Sequence, residues 1–323
     1  MTLPAYRSIP TLDSLERWLQ QKFGLGAPLS CELIRWNWND TYRVIMGEQR
    51  FILRIYGSDH RDDDAIQYEL DLIAHLKQGG IGACGPVPSL KGAESTDIQL
   101  AEGARTAVLF EHAAGRVAPL VAPHNPSILG TALARLHNAA ERFDSERPRA
   151  AICLEIAVRE TLDALPDLLP GGGEQVGLVR GIGSQVLREF ETLDRARLDA
   201  GPIHGDPFSN NVAIDPHGAV AWYDFDECRP GERATDLTVP YWVFRTRNRP
   251  ELWDELLASY RAERELSDID VRAVPILCAA QLVAAISELT KRCSPILGTD
   301  IARSLLLTRM SQLRSIQSWF SGT

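Results

Sequence analysis

The dominant hydrophobic period of this chain shifts from strand-like to helical near residue 125, and that shift limits the folds open to it. "TYRVIM" (41–46) and "RFILRIY" (50–56) are rich in β-branched and aromatic residues, with "GEQ" between them; this is a hairpin signature. "DIQLAEG" (97–103) and "RTAVLFEHAAG" (105–115) read as a second pair of strands. "DDDAIQYELDLIAHLKQGG" (62–80) intervenes, with acids at its front, Leu70, Ile73, Ala74 and Leu76 inside, and glycines at its end; these are the marks of a capped helix. A shorter amphipathic helix is expected over 11–22, where Leu12, Leu15, Trp18 and Leu19 share a face. From about residue 125 the period becomes helical, as in "SILGTALARLHNAAERF" and "EQVGLVRGIGSQVLREFETLDRARL". Only 202–226 breaks back into short apolar runs and turns, and 250–321 reads as several helices. The expectation is an α+β chain in two lobes: β-rich over 1–110, mainly helical over 111–323. Clefts between lobes are favoured ligand sites.

Composition narrows the function. The chain has 323 residues, 45% hydrophobic and 24% charged, an ordinary globular balance. A net charge of -9 argues against nucleic acid as a partner. The six cysteines (31, 84, 153, 228, 278, 293) contain no C-x-x-C pair, which fits free thiols in a reducing compartment. The seven histidines lack zinc-site spacing. The N-terminus has no signal-peptide pattern, and the apolar run "VPILCAAQLVAAI" reads as too short to span a bilayer. The expected location is cytoplasmic, with no membrane partner.

Chemistry is concentrated in two short motifs. "HGDPFSNN" (204–211) places Asn211 five residues after Asp206, and "WYDFDE" (222–227) carries Asp224 and Asp226. If 221–226 is extended, Asp224 and Asp226 face the same side. Adjacent carboxylates repel unless a cation lies between them. Magnesium suits carboxylate, amide oxygen and phosphate oxygen, and Asn211 offers an amide oxygen without adding charge. Asp206, near a metal-bound phosphate, is placed to take a proton from an attacking hydroxyl. In the first lobe, Arg54 on a strand and Glu69 on a helix form a candidate ion pair. A turn aspartate, a solvated helix glutamate and aromatic packing are the alternative readings of Asp206, Glu69 and the tryptophans 36, 38 and 242. His204 and His137 read as structural.

The D-x-x-x-x-N spacing followed by a strand ending in Asp is used by protein kinases. "HGDPFSNNV" with "WYDFDECRPGERATDL", preceded in order by "NDTYRV", "RFILRIY", "YELDLIAHL", "AVLFEHAAGR" and "LARLH", resembles the aminoglycoside phosphotransferase and choline kinase-like superfamily. That superfamily includes homoserine kinase-like enzymes and the bacterial stress-response kinase. The resemblance covers most of the chain and implies a two-lobed protein kinase-like fold. It implies ATP and Mg²⁺ as cofactors, Asp206 as catalytic base, and Asn211 and Asp224 as metal ligands, with Asp226 as a further candidate. It implies that Glu69 pairs with the strand cation, that Leu109–Ala113 (with Glu111 and Ala113) is the adenine hinge, and that Asn39–Tyr42 covers the phosphates. Asp236 resembles an acid that braces the catalytic loop. The chain departs from the pattern at Arg54, where lysine is usual; arginine keeps the charge and can fork onto phosphate.

The expected reaction is transfer of the γ-phosphate of ATP to a hydroxyl of a small metabolite: an amino alcohol, or a sugar-like or aminoglycoside-like acceptor. A protein serine/threonine acceptor is the second reading. A third, from another class, is an inactive pseudokinase that binds nucleotide and acts as a scaffold. Glu227, Glu232 and Asp236 lie near the site in sequence and would suit a cationic acceptor.

Overall fold

The computed structural model describes residues 5–36, 38–58, 61–147, 149–169, 172–208, 210–293 and 299–320. The chain begins with α1 (Leu12–Phe23), β1 (Leu29–Trp36), β2 (Asp40–Met46), β3 (Gln49–Ile55), α2 (Asp63–Gln78), β4 (Thr96–Leu100), β5 (Gly103–Glu111) and β6 (Arg116–Val117). It continues with α3 (Asn125–Ala139), α4 (Leu154–Leu168), α5 (Gly173–Thr192), β7 (Ala200–Ile203), β8 (Val212–Ile214), β9 (Val220–Trp222) and β10 (Arg229–Glu232). Four helices complete it: α6 (Thr238–Thr246), α7 (Pro250–Glu263), α8 (Asp268–Cys293) and α9 (Thr299–Ile316). An antiparallel N-terminal sheet and a mainly helical remainder give the expected kinase-like α+β architecture.

One compact unit comprises Met1–Val117, Arg142–Arg149 and Asn211–Asp226. Its sheet has the order β1-β2-β3-β5-β4, with antiparallel neighbours throughout. Alternation puts Tyr42, Val44, Leu53, Ile55, Ala107 and Leu109 on one face, in a core with Leu15, Leu19 and Phe23 of α1. Full burial of such side chains stabilises by about 1.5–3 kcal/mol each. Leu12, grouped by the sequence with that face, is instead 42% exposed, because it sits at the first, outermost turn of α1. Helix α2 starts where expected: the Asp62 side chain accepts from Ala65 N at 2.8 Å, and Asp63 and Asp64 follow in the first turn. These acids favour the positive end of the helix dipole.

Where the sequence pattern sets a single boundary at 110/111, the chain enters this unit three times. Strand β8 pairs with β6 and β9, and β9 is fixed further: Trp222 N donates to Gly82 O at 2.8 Å and Cys84 N to Trp222 O at 2.9 Å. Only glycine allows this approach, since a Cβ at Gly82 would lie 2.2 Å from Val220 O. The segment after α3 returns for a different reason. Phe143 sits edge-on to Tyr68 and His75 at 5.2 and 5.4 Å. Ser145 Oγ donates to Asp71 at 2.8 Å and Arg147 pairs with Asp64 at 2.7 Å. The segment is thereby strapped to α2.

The second unit comprises Ala118–Glu141, Ala150–Asn210 and Glu227–Thr323. Helix α3 packs on α7, and α8 packs on α4, α5, α6 and α9. The apolar run read as too short for a bilayer is longer than the sequence reading allowed. It belongs to a helical stretch, Asp268–Leu289, that is long and apolar enough to cross a membrane, and 67% of its most apolar window is buried inside the protein. Its apolar surface is therefore used mostly by the core. Strands β7 and β10 pair antiparallel, Ile203 opposite Arg229 and Ala200 opposite Glu232. Strand β7 of this short ribbon leads into His204–Asp206, and β10 leads into Asp236.

Candidate active site

The site builds outward from Arg54. On β3 it points to the sheet face opposite the α1 core, as alternation from Leu53 and Ile55 requires. It is buried, and its guanidinium forks: Nη1 donates to Glu69 Oε1 at 2.7 Å and Nη2 to Asp224 Oδ1 at 2.5 Å. Tyr56 OH donates to the second oxygen of Glu69 at 2.8 Å. The rings of Phe110 and Tyr56 lie 5.1 and 5.5 Å from the guanidinium carbon, within cation–π range. Burial alone would pull the Arg54 pKa down, but Glu69 and Asp224 outweigh it and the net direction is up. Arg54 is therefore a fixed cation. Burial pushes the Glu69 carboxyl up, and Arg54 opposes that. The Tyr56 hydroxyl is likewise pushed up by burial and by Glu69.

The extended backbone expected over 221–226 does not occur. Strand β9 ends at Trp222, Asp224 has a left-handed φ of 63°, and Phe225–Glu227 form a 3₁₀ turn. The two aspartates are thus not paired by strand alternation. Asp224 Oδ2 accepts from Arg35 Nη1 at 3.1 Å. Asp226 is buried and accepts from Arg61 Nε at 3.1 Å, while Arg149 Nη2 donates to its carbonyl at 2.7 Å. The turn is held from both sides by arginines. Asn211 is buried at the foot of β8, and its carbonyl accepts from Tyr223 N at 3.0 Å. It therefore stands across the hairpin from the residue just before Asp224. No group of three or more His, Cys, Asp or Glu side chains suited to a metal is found among the described residues.

The other first-unit candidates fall as follows. Asn39 is buried and its Oδ1 accepts from Gly57 N at 3.1 Å, so that oxygen braces the end of β3. Tyr42 belongs to the core. The Glu111 carboxylate takes Lys77 Nζ at 2.5 Å and Gly85 N at 2.9 Å, and its own amide donates to Gly85 O at 2.9 Å. Ala113 lies just past the end of β5, and its amide N–H makes no hydrogen bond among the described residues.

In the second unit the catalytic-loop candidate is held by a buried acid. Asp236 accepts the backbone amides of His204 (Oδ2) and Gly205 (Oδ1), each at 2.8 Å. His137 Nε2 lies 3.0 Å from Asp236 Oδ2, and its Nδ1 lies 2.7 Å from the Tyr260 hydroxyl. Burial pulls the His137 pKa down against the opposing effect of Asp236. The ring is then neutral, donating to Asp236 and accepting from Tyr260. Gly205 has φ 87°, and a Cβ there would lie 2.3 Å from Glu227 O. Steric demand thus explains why glycine precedes Asp206. Asp206 itself is half-buried, and Arg309 of α9 senses its charge: burial lowers the Arg309 pKa and Asp206 opposes this.

The sequence reading missed Arg35, Tyr56, Arg61 and Arg149, and it did not foresee the Phe110 ring against Arg54. Tyr56 could have been found, since it follows Arg54 by two in an extended run. Arg61 and Arg149 carry no local signal, because both act on the backbone of a residue more than 75 positions away.

A model of the phosphotransferase enzyme family APH matches residues 30–269. A homoserine kinase of Acidiphilium cryptum (strain JF-5) is 28% identical over 259 residues, covering 74% of this chain and 73% of the relative. The solved structure of a microcompartment-associated aminopropanol kinase has a TM-score of 0.77 at 21% identity, over 94% of both chains. The amicoumacin kinase hAmiN, solved in complex with AMP-PNP, Ca²⁺ and Ami, has a TM-score of 0.73 at 19% identity, over 94% of this chain and 93% of its own. With the family model spanning most of its length, the chain belongs to the APH phosphotransferase enzyme family.

Proposed function

We propose that this chain is an ATP- and magnesium-dependent phosphotransferase that moves the γ-phosphate of ATP to the hydroxyl of a small amino alcohol. The observation that carries this reading is Arg54, a buried cation shared between Glu69 of α2 and Asp224. Kinases need both a strand-cation–helix-acid pair and a metal-binding aspartate in place. The residues fit magnesium. Each Asp224 oxygen already faces a cationic group, Arg54 or Arg35, so the carboxylate is aimed at cations. Asn211 adds a neutral oxygen donor of the kind magnesium accepts. Magnesium held there would neutralise charge on the phosphates.

The remaining work belongs to the chain's own residues. Arg54, steadied by Glu69, binds phosphate oxygens. Asp206 accepts the proton as the acceptor hydroxyl forms its bond to phosphorus, and ADP leaves with the electron pair of the broken P–O bond. Asp226 contributes by keeping the Asp224 turn in place through Arg61. The Ala113 N–H is the hinge donor for adenine. Catalysis is then mostly positioning and charge neutralisation.

The amino-alcohol acceptor is supported by the homoserine kinase relative and by the aminopropanol kinase that shares the fold. A polycationic acceptor is less well served. Asp236 is committed to the loop amides and Glu232 pairs with Arg195 at 2.8 Å. A cytoplasmic setting, where ATP and reduced thiols coexist, suits the free thiols of Cys31, Cys84, Cys153 and Cys278.

The test is ADP release from ATP and Mg²⁺ with a panel comprising homoserine, aminopropanol, choline, an aminoglycoside and a serine-rich protein. Turnover is expected with an amino alcohol. Turnover confined to the protein acceptor would replace this reading with the protein kinase one, and ATP binding with no turnover on any acceptor would favour the scaffold.

A further inference from the structure

We propose that Arg35 is a second phosphate-binding cation of the nucleotide site, a role that rests on the ATP-dependent reading above. The argument begins with strand register. In the β1–β2 pair Leu33 stands opposite Tyr42, but Arg35 stands opposite Thr41, with a bulge between them. Unbroken register would have set Ile34 opposite Thr41 and Arg35 opposite Asp40. Side chains alternate between faces, so the bulge moves Arg35 off the α1 side of the sheet and onto the Arg54 side. Ile34 becomes the extra residue and is 42% exposed. Bulges beside active sites re-aim side chains in this way.

Thr41 in turn stands opposite Arg54. Arg35, Thr41 and Arg54 therefore form one row across three strands on one face. Two strand spacings, about 10 Å, separate the two arginines at the backbone. Their guanidinium groups converge nonetheless, Arg54 on Oδ1 and Arg35 on Oδ2 of Asp224. The two differ in setting: the Arg54 side chain is 7% exposed and that of Arg35 is 55% exposed. Arg54 is built in, whereas Arg35 is free to follow a ligand.

Charge gives the row its purpose. Glu69 balances Arg54 and Asp224 balances Arg35. If Asp224 turns to a metal, Arg35 loses its one hydrogen-bond and ion-pair partner among the described residues. An unpaired guanidinium is then left beside the metal ligand and in line with Arg54. A polyphosphate is the ligand that meets a metal and two arginines at once. Kinases with a glycine-rich loop cover the phosphates with that loop. Here the β1–β2 connection reads "NWN" (37–39) without a glycine, and the Asn39 Oδ1 is turned to Gly57. The guanidinium of Arg35 supplies the missing donors.

The test compares full-length wild type with Arg35→Ala and Arg35→Lys in calorimetric titrations with ATP, ADP, AMP and adenosine, all with Mg²⁺. Arg35→Ala is expected to weaken ATP binding about tenfold or more, the scale of one lost charge-assisted contact. The loss should shrink with each phosphate removed and vanish for adenosine, and Arg35→Lys should restore part of it. In steady state KM for ATP should rise more than kcat falls. Equal losses for ATP and adenosine would mean a merely structural role and overturn the proposal, as would unchanged ATP affinity in Arg35→Ala. If wild type binds adenosine and ATP equally, or neither, the ATP reading falls and Arg35 with it. If wild type binds ATP tightly and Arg35→Ala does so equally, only the Arg35 role falls.

Discussion

Nη2 of Arg54 lies 2.5 Å from Oδ1 of Asp224, so one guanidinium ties the sheet to the turn that carries the metal-ligand candidate. Its other nitrogen holds Glu69 at 2.7 Å in a buried setting. Breaking one arm of a buried pair leaves an uncompensated charge, at a cost of about 3–5 kcal/mol. Glu69→Gln is therefore expected to lower unfolding free energy by about 3 kcal/mol, the low end of that range because Asp224 still faces Arg54. Urea denaturation checks it, and a loss under about 0.5 kcal/mol, the scale of an exposed pair, would refute the account. Arg54→Lys should fold with a smaller loss, because an ammonium keeps the charge but not the planar fork.

Much of this was legible in sequence, for reasons that can be named. Hairpin β2–β3 and helix α2 announce themselves through period, turn residues and caps, all local properties. Asp206, Asn211 and Asp224 stand out as candidates because their spacing in one short stretch is itself the signal. Strand β1 was not separated from its surroundings, since "LSCELIRW" alternates only as far as the bulge that re-aims Arg35. The turn after Trp222 departs from the extended backbone considered for 221–226, and the contacts that hold it, Arg61 and Arg149 on Asp226, arrive from distant parts of the chain. The strap over α2 was invisible for the same reason.

Gly205 supplies a sharper stability test than most glycines. Its φ of 87° and the 2.3 Å approach of a Cβ to Glu227 O are both prohibitive for alanine. Gly205→Ala should cost about 1–3 kcal/mol from backbone strain alone. It should also reduce kcat while leaving ATP affinity unchanged, since Asp206 is the next residue. A melting curve and ATP titration of the variant check both parts; weakened ATP binding with intact kcat would contradict them.

His137 makes stability depend on pH in one direction. Burial holds its pKa below the usual histidine value, with Asp236 only partly opposing. The unfolded chain takes up a proton near a pKa of about 6.5 that the folded chain refuses. The stability from this group is therefore complete above that pH and is lost as pH falls, at up to about 1.4 kcal/mol per unit. Denaturation curves from about pH 8 to about pH 5 should show this slope. His137→Gln, less stable throughout, should show a flatter profile, and an unchanged slope would assign the proton elsewhere.

Asp206 is the residue on which the proposed chemistry turns. Its loop is fixed by the two amide bonds from His204 and Gly205 to Asp236, so Asp206→Asn changes the proton acceptor without releasing the loop. The carboxamide has the same shape but no basic oxygen. Loss of a general base typically costs about a hundredfold to ten-thousandfold in rate, and kcat should fall within that range. Binding of ATP with Mg²⁺ should be unchanged, because the proposed metal ligands, Asn211 and Asp224, are untouched. Kinetics with the best acceptor from the panel, together with calorimetry of ATP binding, separate the two quantities. Turnover within about tenfold of wild type, below the span expected for a lost general base, would remove Asp206 from the role of base.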